Sequence, residues 1–290
     1  MKYTFILFTF LASTLILQAD KFETYVGYTA KLYPMSTELT RNQDYLLYIH
    51  LPASYDSAPE KRYPVIYSLD PYWDFVSLTN MLGTLEYDQY VPEAIVIGIG
   101  YPGANPEYGK LRQIDYTPSL SPYDPNTGDA KAFLSFIEKE LIPWTENEYR
   151  VDDSFRVLAG SSYGGLFTLY AMFDRPDLFQ GLVASTPAVS FDNREIFRKE
   201  NQFYIGDRKL LFSETAARNL PTRLFMSVGG EEKNSNWIPE ANAFADLLKG
   251  RRYQDLSFEY VMFDEYKHGG VKFPTYSRGL AYVFEDYMAR

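Results

Sequence analysis

The sequence predicts an α/β fold in one domain, with a mostly parallel central sheet and helices on both of its faces. Short, almost wholly apolar runs such as Val65-Ile66-Tyr67-Ser68-Leu69 and Ala94-Ile95-Val96-Ile97 recur along the chain. Such runs suit strands buried on both faces. Between them lie segments with apolar residues at helical spacing, as at Leu166, Leu169, Tyr170 and Phe173. Strand and helix patterns in alternation are the mark of a parallel sheet. A hydrophobic content of 46% over 290 residues supplies enough apolar surface for one sizeable core.

The elements follow in order. Residues 1–19 read as a secretory signal peptide, with Lys2 as the positive start, a charge-free apolar run from Phe5 to Leu17, and Ala19 before the cleavage point. The run is shorter than the ~20 apolar residues of a membrane span. The domain is therefore expected over 20–290, in a protein exported to the periplasm or secreted. Tyr45 to Leu51 is the first expected strand, stopped by Pro52, and Val65 to Leu69 the second, leading into Asp70-Pro71-Tyr72-Trp73 and a helix. Ala94 to Ile99 is a third. Tyr101 to Thr127 is rich in Pro, Gly, Tyr and Asn and reads as a long functional loop. A helix is expected from about Asp129, with Phe133, Phe136, Ile137 and Leu141 on one face. Phe155 to Ala159 forms a further strand, and Leu166 to Phe173 the helix after it. A strand at Leu182 to Ser185 precedes a polar, irregular stretch from Pro187 to Pro221, expected as a short lid-like insertion. Arg223 to Val228, a helix from Pro239, the strand Phe258 to Phe263 and a helix carrying Leu280, Val283 and Phe284 complete the domain.

Composition narrows the function. Loss of residues 1–19 removes Lys2 and takes the formal net charge from −10 to −11. This argues against nucleic acid or an anionic membrane as partners, and no stable membrane association is expected once the signal is removed. The chain has no cysteine, so thiolate metal sites and thiol nucleophiles are excluded. No metal and no cofactor is expected, the partner is a small molecule, and the sequence leaves the oligomeric state open.

Chemistry concentrates at Gly160-Ser161-Ser162-Tyr163-Gly164, a G-x-S-x-G match between an apolar strand and an amphipathic helix. Such a sharp strand-to-helix turn exposes the hydroxyl of its central serine. Ser162 is the better nucleophile, because glycines stand two residues before and after it, whereas Ser161 would be flanked by Ala159 and Tyr163. A serine needs a base, and the chain has two histidines. His50 lies in an early strand. His268 lies after the last strand, beside Gly269 and Gly270, and alone fits the order serine, acid, histidine of an α/β-hydrolase triad. Glu232, at the end of Gly229-Gly230-Glu231-Glu232, is the preferred acid, with Glu231 and Asp264 as rivals and a Ser-His dyad as a further alternative. The backbone N–H of Tyr163 and that of Tyr72 are expected to form the oxyanion hole, since Pro71 has no N–H.

With these residues in place the chain resembles the esterase family that includes esterase D, the enterochelin (enterobactin) esterases and the mycolyltransferases. Tyr63-Pro64-Val65-Ile66-Tyr67-Ser68-Leu69-Asp70, Arg112-Gln113-Ile114-Asp115-Tyr116-Thr117-Pro118, Glu138 to Pro143 and Tyr149-Arg150-Val151-Asp152 are similar to its motifs. The resemblance implies an α/β-hydrolase fold and a serine carboxylic-ester hydrolase. It puts Ser162, Glu232 and His268 on the family's nucleophile, acid and base, and Tyr72 and Tyr163 on its oxyanion donors. Two departures stand out. Pro71 replaces the family glycine after Asp70. After Ser185-Thr186-Pro187 the chain has Ala188, Val189, Ser190 and Phe191, where siderophore esterases carry tryptophans. Small neutral esters are accordingly expected to be better substrates than ferric siderophores. Arg112 and Trp73 are expected to bind substrate; alternatively, Arg112 pairs with Asp115 and braces its loop. Siderophore esterase, carbohydrate-ester hydrolase, acyltransferase and an inactive binding protein on the same fold are the competing functions.

Overall fold

The computed structural model describes residues 30–206, 218–232 and 236–290. The expected signal peptide lies outside them. Among the described residues eight strands form one sheet in the order β1-β2-β4-β3-β5-β6-β7-β8. They are β1 (Ala30–Ser36), β2 (Asp44–His50), β3 (Tyr63–Leu69), β4 (Ile95–Gly100), β5 (Val151–Ser161), β6 (Gly181–Ser185), β7 (Asn219–Gly229) and β8 (Gln254–Phe263). β1 pairs antiparallel with β2, and β2 antiparallel with β4, whereas β3 to β8 run parallel. This is the α/β-hydrolase arrangement expected from the sequence.

The apolar strands divide their side chains between two cores, because successive residues of a strand point to opposite faces. Val65, Tyr67 and Leu69 join one cluster, and Ile66 joins the other. On the second face α1 (Pro71–Tyr87) and α8 (Lys272–Met288) bury Phe75, Leu78, Leu82, Leu280, Val283 and Phe284. The first face is covered by α2 (Tyr108–Tyr116), α3 (Ala130–Phe136), α4 (Ile142–Glu148), α5 (Tyr163–Asp174), α6 (Phe191–Ile205) and α7 (Trp237–Arg251). One wider π turn, Ile137–Leu141, joins α3 to α4, so the helix expected from Asp129 continues with an altered pitch.

Three expectations need correction. From the sequence no strand is expected before Tyr45, yet β1 pairs with β2 there. β1 is almost wholly exposed, so it lacks the alternation that marks a buried strand. The presumed loop from Tyr101 to Thr127 contains α2, which buries Tyr108, Ile114 and Tyr116. The stretch from Pro187 to Pro221 is irregular only in part, at residues 187–190 and at Asp192 to Arg194, which take positive φ. It holds α6, whose Phe197 packs on Phe244 of α7 at 5.0 Å and whose Phe203 packs on Phe173 of α5 at 5.7 Å. Residues 207–217 of that stretch lie outside the described residues. Among the described residues no helix is long and apolar enough to cross a membrane.

Candidate active site

All the candidate residues lie beyond the carboxyl ends of the parallel strands, where open α/β sheets hold their sites. Ser162 occupies the turn between β5 and α5 with φ 60° and ψ −116°. A non-glycine residue there carries strain of about 1–3 kcal/mol and persists only where its surroundings impose it. The surroundings do so from both sides. The Ser162 N–H donates to the Ser185 carbonyl at 3.0 Å, and the Ser162 carbonyl accepts from Ala188 at 3.0 Å and from Leu166 at 2.9 Å. Close approach explains the first glycine of the motif: a Cβ on Gly160 would sit 2.5 Å from the Gly164 backbone. Ser161 is buried as the last residue of β5.

His268 lies on the loop from β8 to α8, and its Nδ1 is 2.9 Å from Oε2 and 3.1 Å from Oε1 of Glu232. The Glu232 side chain is 2% exposed, and that of His268 is 42% exposed. The turn after β7 is hydrogen-bonded to the histidine loop, with the Gly230 N–H donating to the Phe263 carbonyl at 2.8 Å and the Glu231 N–H to the Tyr266 carbonyl at 3.0 Å. The two loops touch so closely that a Cβ on Gly229 would lie 2.3 Å from the Tyr266 carbonyl oxygen. Hence the two glycines before the acidic pair. Glu231, Asp264 and Glu265 are exposed; Glu232 is the carboxylate that reaches the ring. His50 lies in β2, paired across to Val96 of β4, and burial holds its pKa down at about 4.

Ser162 and His268 line one cavity of about 190 Å³, together with Asp70, Trp73, Asp74, Arg112, Ser161, Gly269 and Lys272. Arg112 does not pair with Asp115. Its guanidinium makes two parallel bonds of 2.8 Å to the carboxylate of Asp70 and a third, of 3.1 Å, to the Ser161 carbonyl. Asp115 instead accepts from Tyr45 at 3.0 Å and Tyr101 at 2.9 Å. Burial works against the Arg112 charge, but the Asp70 carboxylate outweighs it and the guanidinium pKa is raised. Arg112 thus links the turn before α1 to the serine turn. A parallel link is the Lys272–Asp74 ion pair, which joins the start of α8 to α1. Burial pushes the Asp74 carboxyl up, against the pull of Lys272. Both cations of the cavity therefore already hold a carboxylate.

Tyr72 and Tyr163 stand in the first turns of α1 and α5, where backbone N–H groups have no acceptor within their helix. Asp70 precedes α1 with φ 55° and ψ 45°, and Pro71 occupies the first helical turn. Pro71 suits that place, because it has no N–H to leave unpaired and its φ fits a helix start. Tyr72 and Trp73 are 54% and 51% exposed, and both rings rest against Tyr108 of α2, at 4.5 and 5.5 Å. Two residues of the site gave no signal in the sequence. Thr186 donates its hydroxyl to Glu232 Oε1, and Trp237 sets its ring edge-on against His268 at 4.8 Å. Among the described residues there is no group of three or more His, Asp or Glu that could hold a metal ion.

The family model described as "Putative esterase" matches residues 36–275. The chain belongs to that esterase family. Its relatives include the ferri-bacillibactin esterase BesA of Bacillus subtilis, 27% identical over 264 residues that cover 86% of this chain and 88% of the relative. The siderophore triacetylfusarinine C esterase of Aspergillus fumigatus is 29% identical over 275 residues, covering 86% of this chain and 92% of that one. Among solved structures, an IroE-like serine hydrolase from Shewanella oneidensis superposes with a TM-score of 0.75 at 26% identity, over 89% of this chain and 81% of the other. Family membership makes the protein a hydrolase of ester bonds, and its relatives act on small-molecule esters.

Proposed function

We propose that the protein is an exported serine esterase that cleaves carboxylic esters through Ser162, His268 and Glu232. The observation that carries this reading is the buried Glu232 carboxylate on Nδ1 of a histidine that shares one cavity with a half-buried serine on a strained turn. In the reaction Ser162 Oγ attacks the ester carbonyl carbon while its proton passes to Nε2, the other ring nitrogen of His268. The tetrahedral oxyanion is held by the N–H groups of Tyr163 and Tyr72. Collapse expels the alcohol, which takes the proton from His268 and leaves an acyl-enzyme. Water then attacks the acyl carbon, giving its proton to His268, and the carboxylic acid departs as Ser162 is restored. Glu232 orients the imidazole and stabilises its protonated form.

Loss of hydrolysis of p-nitrophenyl acetate in Ser162→Ala, with much of it retained in Ser161→Ala, is the expected result. Equal activity in Ser162→Ala and the wild type would reject the assignment. The mature protein is expected to begin near Asp20, which N-terminal sequencing of exported material checks; Met1 on membrane-bound material would contradict it.

A siderophore ester is the second reading, favoured by the names of the two relatives that align over most of the chain. Small neutral esters are favoured by the absence of tryptophan from Ala188 to Phe191 and by the fact that both cavity cations hold carboxylates. The ratio of kcat/KM for a ferric catecholate triester to that for p-nitrophenyl acetate separates the two. A ratio well above one selects the siderophore.

A further inference from the structure

Thr186 is a β-branched residue with φ 38°, in a region such side chains rarely enter, and it is fully buried. Strain of this kind, at about 1–3 kcal/mol, clusters where structure is held for function. Every polar group of this residue is engaged at the site. Its N–H donates to the Ser227 carbonyl at 2.8 Å. Its carbonyl accepts from Nε1 of Trp237 at 3.3 Å, the same indole that stands edge-on to His268. Its hydroxyl donates to Oε1 of Glu232, leaving Oε2 as the nearer oxygen to His268, at 2.9 Å against 3.1 Å.

Building on the esterase reading above, we propose that Thr186 is a positioning residue for the catalytic acid, its hydroxyl holding Oε1 and so fixing the rotation of the Glu232 carboxylate with both oxygens within hydrogen-bond distance of His268 Nδ1. Glu232 rides on a turn at the end of β7, and its side chain has several rotatable bonds. Without a second anchor its carboxylate could swing off the ring. Thr186 supplies that anchor from the end of β6, the neighbouring strand, so the acid is held between two rigid elements rather than by its own loop. The strained backbone is what aims the hydroxyl: the N–H and carbonyl contacts on either side hold the turn in place. Trp237 is tied into the same turn, so one residue constrains a contact to the acid and a contact to the base.

Thr186→Val keeps the shape and branching and removes the donor. A hydrogen bond to a charged acceptor is worth about a 10- to 100-fold factor, so kcat on p-nitrophenyl acetate is expected to fall by that factor with KM within about twofold. Thr186→Ser, which restores the hydroxyl, is expected to recover kcat to within about fivefold of wild type. Should Thr186→Val fail to fold, Thr186→Ala paired with Thr186→Ser gives the same contrast with less bulk at the turn. The inference is overturned if the valine or alanine variant folds and keeps wild-type kcat, or if the serine variant is as impaired as they are. Fluorophosphonate labelling of the wild type, run alongside, keeps the two readings apart. An unlabelled wild type rejects the serine mechanism itself, whereas a labelled wild type with an unimpaired Thr186→Val rejects the role of Thr186 alone.

Discussion

Replacing Glu232 by Gln removes one charge while keeping the size and reach of the side chain. Its carboxylate is 2% exposed, contacts His268 Nδ1 at 2.9 Å and accepts from Thr186. In the variant the amide oxygen can serve only one of the two donors well. If it turns to Thr186, the amide nitrogen faces Nδ1 and favours the ring tautomer that cannot act as base toward Ser162. If it turns to His268, the tautomer survives, but no negative charge balances the imidazolium formed during attack. In a serine protease with a deeply buried acid the equivalent change lowers kcat by about 10⁴. Here the histidine side chain is 42% exposed, so water screens part of the lost charge. A fall in kcat of roughly 10² to 10⁴ is therefore expected, with KM changed much less. Glu231, exposed on the same turn, should stay within about tenfold of wild type as Gln. Steady-state hydrolysis of p-nitrophenyl acetate at pH 8, with circular dichroism to establish folding, measures both. A folded Glu232→Gln enzyme with kcat within tenfold of wild type would refute the reasoning and leave a serine–histidine dyad.

Other outcomes follow from the same geometry. Gly160→Ala forces a Cβ to within 2.5 Å of the Gly164 backbone, so it should cost about 1–3 kcal/mol or more in urea unfolding and abolish activity; a stable, active variant would contradict the packing of β5 against α5. Arg112→Ala leaves Asp70 buried without its partner and should destabilise by about 3–5 kcal/mol, whereas a raised KM at unchanged stability would mark Arg112 as a substrate ligand instead. His50 has a folded pKa of about 4, lowered by burial from 6.5, so the unfolded chain binds the extra proton between those values and stability must fall as pH drops through that window. The fall in Tm from pH 6.5 to pH 5 should be smaller in His50→Gln than in wild type; an unchanged slope would exclude His50 as the cause.

What the sequence made legible was what leaves a local pattern. β3, β4 and the second half of β5 are buried on both faces, so their apolar runs stand out against any turn chemistry. The serine turn is marked by a glycine pair of which Gly160 is one the backbone cannot do without, and a chain with two histidines offers little choice of base. The acid was harder. Glu231 and Glu232 are adjacent, and only the path of the turn, pinned to the Phe263 and Tyr266 carbonyls, decides which one enters the site. Features set by distant contacts were not legible. Arg112 finds Asp70, 42 positions away, rather than Asp115, three away, because Asp115 faces Tyr45 and Tyr101 inside the core. α6 is polar along much of its length, and Asp192, Asn193 and Arg194 at its start take positive φ values. Its sequence therefore reads as loop until Phe197 and Phe203 meet α7 and α5. Thr186 carries no motif. Its role rests on where β6 ends relative to β7.

The most direct measurement is to treat the wild-type protein with a fluorophosphonate and locate the adduct by peptide mass spectrometry. One equivalent of label on Ser162, loss of hydrolysis in step with labelling, and no label in Ser162→Ala are expected. A label on Ser161 or on a residue outside the cavity, or full hydrolysis by Ser162→Ala, would contradict the assignment.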